Sequence, residues 1–395
     1  MTFDSNQSQV HDLVLSYGLV NWVTKGLFLG ERHVYTSAQV DDFFIDGDIW
    51  TPSTPCGTTT NQTGSNYRIT GTDLQQFITW QQSKQTQAVT KSYRTTMVFN
   101  GFGTTAAAGY RSDTLTPIAR ENQAQFNWVS HTYDHTNLDS MSYEDAVNEI
   151  VLNNQVAQSL GFTNFDASSM VTPEVSGLTN TNFLEAAYDN GIRYLVSNTS
   201  IAGYNNPSPN AGIYDTSESS ILLLPRRPSN LFYNVSQPSE WVAEYNCRYS
   251  SYWGKNLTYQ EILNQESQTL LTYLLKGDND PLMFHQPNMR AYDGTHSLLG
   301  DLLDLTFQKY TQYFNLPMVN KTMNDLGATV ASRMSYNDGG VTASIVPGVS
   351  ITLTAEHDCT VPVTGLDSTG AESYGGQKIS YIDVSAGRSV TLPLQ

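Results

Sequence analysis

Three short segments hold residues whose types and spacing suit chemistry. Asp41 and Asp42 stand side by side in QVDDFFIDGDIW, His131 and His135 form HTYDH, and His285 sits in LMFHQPN. Two imidazoles four residues apart on a helical turn share one face at about 6 Å, within reach of a single ion. Two nitrogens and one carboxylate leave such an ion an open coordination position, the arrangement of a catalytic rather than a structural centre. Side chains of adjacent strand residues diverge, so Asp41 and Asp42 need separate roles, one ligating and one facing substrate. Each segment alone also has an ordinary reading. HTYDH could cap a surface turn, DDFFIDGDIW could be a solvated loop or a weak calcium site, and His285 could be a packed core histidine.

The elements around these residues give them a common position. Expected strands are residues 33–40, 93–99, 126–130, 170–172, 192–196, 221–224 and 281–284, alternating with amphipathic helices. Ser142 with Asp145 reads as a capping box opening one helix and Gly161 as its stop; others are expected over 182–190 and 258–276. Strict alternation argues for parallel strands with covering helices, and about seven units favour an incomplete or distorted barrel. Loops after the carboxyl ends of such strands form one face. Asp41, Asp42, His131, His135, Pro173 and His285 all fall at such ends. After Ser335 the texture changes: YNDGG reads as a linker or turn, and short alternating runs such as ITLTA and KISYIDV follow. We therefore expect a catalytic domain over 1–335 and a small all-β module over 336–395.

Length and charge exclude several classes. At 395 residues the chain can bury a large core. Its net charge of −17 opposes phosphate-rich nucleic acid and anionic membranes. No apolar run is long enough for a bilayer-spanning helix. Ser and Thr supply 81 residues, a texture that suits extracellular work on neutral polar polymers. The start, MTFDSNQSQV, does not read as a secretory signal, so the expectation is either a cytoplasmic protein or an excised piece of a secreted one. Cys56, Cys247 and Cys359 allow three single pairings, six N-x-S/T sites permit glycosylation, and the polar stretch 51–65 is expected to border a site.

Taken together, the segments resemble the NodB-homology polysaccharide deacetylases, metal-dependent carbohydrate esterases built on a distorted (β/α) barrel. The family's first motif has an aspartate pair after the first strand, its second is H-[ST]-x-x-H, matched by His131, Thr132 and His135, and its last is L-x-x-H, matched by Leu282 and His285. More narrowly, QVDDFFIDGDIW, HTYDH and FHQPNM are similar to fungal secreted deacetylases acting on galactosaminogalactan, in which a carbohydrate-binding domain precedes the catalytic one. The resemblance covers roughly residues 33–335. It implies Asp42, His131 and His135 as ligands of a divalent metal, Zn²⁺ first, with Co²⁺ or Ni²⁺ also fitting. It makes Asp41 the general base and His285 the general acid.

The family's third motif usually brings an arginine to the base, and SSMVTPEVSGL has none; Arg226 or Arg227, ending ILLLPRR, is expected to take that part. Pro173, Arg226, Arg227 and Tyr133 are the expected substrate contacts, with Trp253 and Tyr292 as further stacking candidates. The implied activity is de-N-acetylation of an N-acetylhexosamine exopolysaccharide by a secreted monomer. Chitin, peptidoglycan or an O-acetylated glycan is the alternative substrate, and a silent carbohydrate-binding protein the alternative class.

Overall fold

The computed structural model describes residues 6–52, 65–204 and 210–394. Seven parallel strands form its centre: β1 (Ala38–Phe43), β2 (Thr96–Phe99), β3 (Asn127–Ser130), β4 (Phe165–Met170), β5 (Tyr194–Asn198), β6 (Leu222–Pro228) and β7 (Leu282–His285). Their spatial order is β6-β7-β1-β2-β3-β4-β5, and β6 also pairs with β5, which closes the sheet into a distorted barrel. Most of these strands carry consecutive buried residues, so both of their faces are covered, as in parallel strands under helices.

The covering helices have the ends their sequences specify. α1 (Tyr143–Leu160) starts at Ser142, whose hydroxyl accepts the Asp145 N–H, and ends at Gly161 with φ 71°. The Asp145 carboxylate returns to the Ser142 hydroxyl rather than to its backbone, so only half of the expected box forms. α2 (Thr181–Asp189) and α3 (Tyr259–Lys276) lie within a residue of their expected bounds. α4 (Met323–Asp338) packs Met323, Leu326 and Val330 against Val98, Val129, Val196, Leu222 and Leu224 from the barrel strands.

Two features cross the expected boundary at 335/336. α4 continues through Asp338, so the first part of YNDGG is helical rather than a linker. Upstream, Phe28–Leu29 pairs antiparallel with Cys359–Thr364, joining the amino-terminal part of the chain to the sheets after residue 340. Those sheets consist of Thr342–Val346, Ser350–Thr354 and Ser389–Pro393 in one layer and Cys359–Thr364, Gln377–Val384 and Glu372–Tyr374 in the other, around their own apolar core.

Among the described cysteines, Cys359 is a buried free thiol and Cys247 is disulfide-bonded. Cys56, Asn61 and most of the polar stretch 51–65 lie outside the described residues. Asn234, one of the six sequons, is 1 % exposed, which leaves no room for a glycan. No helix among the described residues is long and apolar enough to cross a membrane.

Candidate metal centre at the barrel mouth

The first strand reaches further than the sequence pattern suggested, and the aspartate pair lies inside it. The register of β1 against β2 shifts between Val40 and Phe43, and Asp42 takes φ 61° and Phe44 φ 89°. A bulge of this kind re-aims side chains that would otherwise alternate. It lets both carboxylates serve the mouth from different directions. Phe43 and Phe44, fully buried, anchor the bulge in an aromatic cluster with Trp128 and Phe162, whose rings stack at 3.7 Å. Gly103 stands so close that a Cβ there would lie 2.2 Å from the Phe44 carbonyl oxygen.

Positive φ at residues other than glycine concentrates at this end. Of the eight such residues described, Asp42, Phe44, Thr132, His135, Glu174 and Val175 follow β1, β3 and β4 closely or sit in β1 itself. Strain of this order persists where surrounding structure over-determines it. Asn100, fully buried after β2, donates from Nδ2 to the carbonyls of His131 at 2.5 Å and Thr132 at 3.0 Å. Glu149 on α1 accepts the N–H groups of Tyr133 and Asp134. Asn153 on α1 ties Phe99, Ser130 and Gly101 together.

The loops so held bring the ligand candidates together. One donor atom each from Asp42, His131 and His135 lies within 4.8 Å of the other two. Nε2 of His131 and of His135 stand 3.4 and 3.1 Å from Asp42 Oδ1. His131 Nδ1 is 2.8 Å from the Val171 carbonyl and donates to it, so the lone pair of the neutral ring is on Nε2. Asp42 Oδ1 is sealed from solvent and has no hydrogen-bond partner. An orphaned carboxylate oxygen with two imidazole nitrogens beside it fits a divalent cation. Burial pushes the Asp42 carboxyl up, but the two histidines outweigh it and hold it well below the usual carboxylate range. For His135, burial works downward and Asp42 raises it above the ordinary value.

The neighbouring Asp41 is held quite differently. Arg226 donates from Nη1 to Oδ2 at 2.7 Å and from Nη2 to Oδ1 at 2.5 Å, a buried bidentate pair. Burial alone would raise the Asp41 carboxyl, and Arg226 brings it below its ordinary value. His285 faces Asp41 across the β7–β1 register, with Nε2 3.9 Å from Oδ2. The Asn288 side-chain oxygen accepts the His285 backbone N–H at 3.0 Å, which fixes the turn that follows β7. Burial depresses the His285 imidazolium, with Asp42 and Asp41 partly opposing.

The remaining candidates divide. Arg227, next to Arg226 and therefore on the other face of β6, binds Asp278 at 2.6 Å and Asp280 at 3.0 Å and covers the Tyr273 ring. It is a structural ion pair away from the mouth. Pro173 is buried and opens a short turn after β4, and Tyr133 packs edge-on against Phe102. Trp253 packs against the main core and Tyr292 donates to Asp301, away from the donor cluster. The sequence reading missed Tyr233, a half-exposed ring 5.7 Å from His285. It also missed Asn100, Glu149 and Asn153.

The chain is similar to known carbohydrate deacetylases in sequence and in fold. A family model described as the Agd3 deacetylase domain matches residues 111–344, more than half of the chain, taking in His131, His135, Arg226 and His285. The aspartate pair lies upstream of that match. The crystal structure of Agd3, a carbohydrate deacetylase, superposes with a TM-score of 0.81 at 21 % identity, covering 97 % of this chain and 68 % of that one. The chitin deacetylase of Colletotrichum lindemuthianum gives a TM-score of 0.39 at 14 % identity over 66 % of this chain and 83 % of that one. A family 4 carbohydrate esterase from Streptomyces lividans gives 0.35 at 13 % identity over 71 % and 91 %. No curated protein matches the sequence.

Proposed function

The chain belongs to the Agd3 deacetylase domain family, with the NodB-type polysaccharide deacetylase barrel, and on that premise we propose that it hydrolyses acetamides of an N-acetylhexosamine exopolysaccharide, releasing acetate. The observation that carries this reading is the convergence of one carboxylate oxygen and two imidazole nitrogens beside a second carboxylate that an arginine keeps ionised. N-acetylgalactosamine is the preferred sugar in this proposal, by likeness to the narrower group of deacetylases that the motifs resemble. The acidic, hydroxyl-rich composition of the chain suits such work outside the cell.

Asp42, His131 and His135 would hold the metal, with Zn²⁺ matching two nitrogens and one oxygen. When bound, it supplies Lewis acidity toward the acetamide carbonyl and toward a water molecule. Asp41 is the base: Arg226 occupies one direction on each of its oxygens, and the remaining lone pairs stay available to take a proton from the attacking water. His285 delivers a proton to the departing amine, which cannot leave as an anion. His131 is held by Val171 so that its ring cannot turn away.

A chitin or O-acetyl deacetylase would use the same groups, and a silent binding protein would keep them without turnover. Acetate release from partially acetylated galactosamine and glucosamine oligosaccharides separates these readings. Release that is faster on the galactosamine series supports the proposal, and its absence from both series overturns it.

A further inference from the structure

A cleft of about 660 Å³ lies away from the barrel mouth. Its lining includes Tyr35 just before β1 and Lys276 and Gly277 before β7, at the amino ends of strands whose carboxyl ends carry part of the candidate metal centre, together with Asn210, whose Nδ2 donates to the Gly277 carbonyl. α4 and the carboxy-terminal sheets supply the other walls. The volume is in the range of organic-ligand sites.

Charge distinguishes this cleft from the rest of the molecule. Four of the chain's 20 lysines and arginines, Arg32, Lys276, Lys321 and Arg333, are among its lining residues. Two of its three acids are already engaged within the wall: Glu31 with His33, Arg333 and Tyr381, and Glu372 with His33 and Tyr381. The cations are less committed. Lys321 Nζ contacts the Thr329 hydroxyl and the Tyr35 ring, exposed Lys276 has no carboxylate partner among the described residues, and Arg333 Nη1 has no hydrogen-bond partner. Tyr381, 44 % exposed, adds a flat ring at the edge.

We propose that this rear cleft binds an anionic saccharide, a uronic-acid-bearing segment whose carboxylates meet Lys276 and Lys321 while a ring face lies on Tyr381. A cationic deacetylated sugar would meet the wrong sign, and a neutral one would leave the lysines unmatched. The inference goes beyond the proposed reaction and does not rest on it, because none of these residues lies at the metal centre.

The test is calorimetric titration of the full chain with trigalacturonic acid, the N-acetylglucosamine trimer and the glucosamine trimer. Trigalacturonic acid should bind best, with affinity falling as salt rises. That affinity should survive Asp42→Ala, fall at least tenfold in Lys276→Glu/Lys321→Glu, and be lost in Ser332→Trp, which fills the cleft from an exposed position. Thermal melts matching the wild type show that these variants fold. Failure of trigalacturonic acid to bind, equal binding of the neutral trimer, or binding lost in Asp42→Ala but kept in both cleft variants overturns the proposal. Acetate release by the cleft variants is read separately, so failure of this inference and failure of the deacetylase reading remain distinguishable.

Discussion

Arg226 holds Asp41 through both of its terminal nitrogens, at 2.7 and 2.5 Å, with each side chain almost completely buried. The pair fixes the orientation of the proposed base and keeps it ionised in a site that burial would otherwise neutralise. Arg226→Ala leaves a buried carboxylate without its counter-ion, at a cost of about 3–5 kcal/mol in stability. Acetate release should fall by orders of magnitude, with Arg226→Lys recovering part of the stability. Arg227→Ala should keep a near-wild-type rate, because Arg227 serves Asp278 and Asp280. Denaturant melts and initial rates on the three variants check this.

Asn100 touches no ligand side chain, yet it holds the carbonyls of His131 and Thr132. Outer partners of this kind are worth about tenfold to a hundredfold in metal affinity. Asn100→Ala should weaken zinc binding by that amount, measured by competition with a chromophoric chelator; an unchanged affinity would remove Asn100 from the positioning role.

Gly103→Ala tests the bulge. Its Cβ would fall 2.2 Å from the Phe44 carbonyl oxygen, so the backbone after Asp42 has to move. Overpacking of this type costs about 1–3 kcal/mol. The variant should lose zinc affinity along with stability, whereas Gly109→Ala, at a site open within 4 Å but with φ 79°, should lose stability alone.

A pH-dependent contact ties the barrel to the carboxy-terminal sheets. His33, 5 % exposed, lies between Glu31 at 3.3 Å and Glu372 at 2.9 Å, with the Tyr374 and Tyr35 rings against it. Burial alone would lower the imidazolium, and the two glutamates raise it above its ordinary 6.5. A raised folded value means that the His33 contribution is complete below pH 6.5 and disappears as pH climbs through the folded value. Burial raises Glu31 too, but His33 and Tyr381 bring it down to about 2, so its contribution is complete above 4.5 and is lost as pH falls toward 2. The melting-temperature difference between wild type and His33→Ala should therefore be largest between about pH 4.5 and 6.5 and shrink at pH 9. A difference that grows at pH 9 would contradict the assignment.

Much of the candidate site was legible because rare residue types stand at the ends of strong β-rich runs. Seven units, the Ser142 and Gly161 helix ends, and Asp41, Asp42, His131, His135 and His285 could all be read that way. Three things could not. Whether Arg226 or Arg227 faces the mouth depends on the parity of β6, which shifts with one residue of register. The bulge at Asp42 leaves no composition signal, since the residue in the left-handed region is an aspartate rather than a glycine. Asn100, Glu149 and Asn153 are common polar residues whose importance comes only from the backbone groups they reach. The continuation of α4 through Asp338 was hidden by YNDGG, where tertiary packing of the helix overrides turn-forming residues.

The central claim is that Asp42, His131 and His135 hold a metal that acetamide hydrolysis requires. Its most direct measurement is acetate release from an N-acetylgalactosamine oligosaccharide before chelation, after chelation, and after one equivalent of Zn²⁺ is returned, in wild type and in Asp42→Ala. The account predicts loss on chelation, recovery with zinc in the wild type, and no recovery in Asp42→Ala. Acetate release that persists unchanged through chelation, or zinc-dependent release by Asp42→Ala at the wild-type rate, would contradict it.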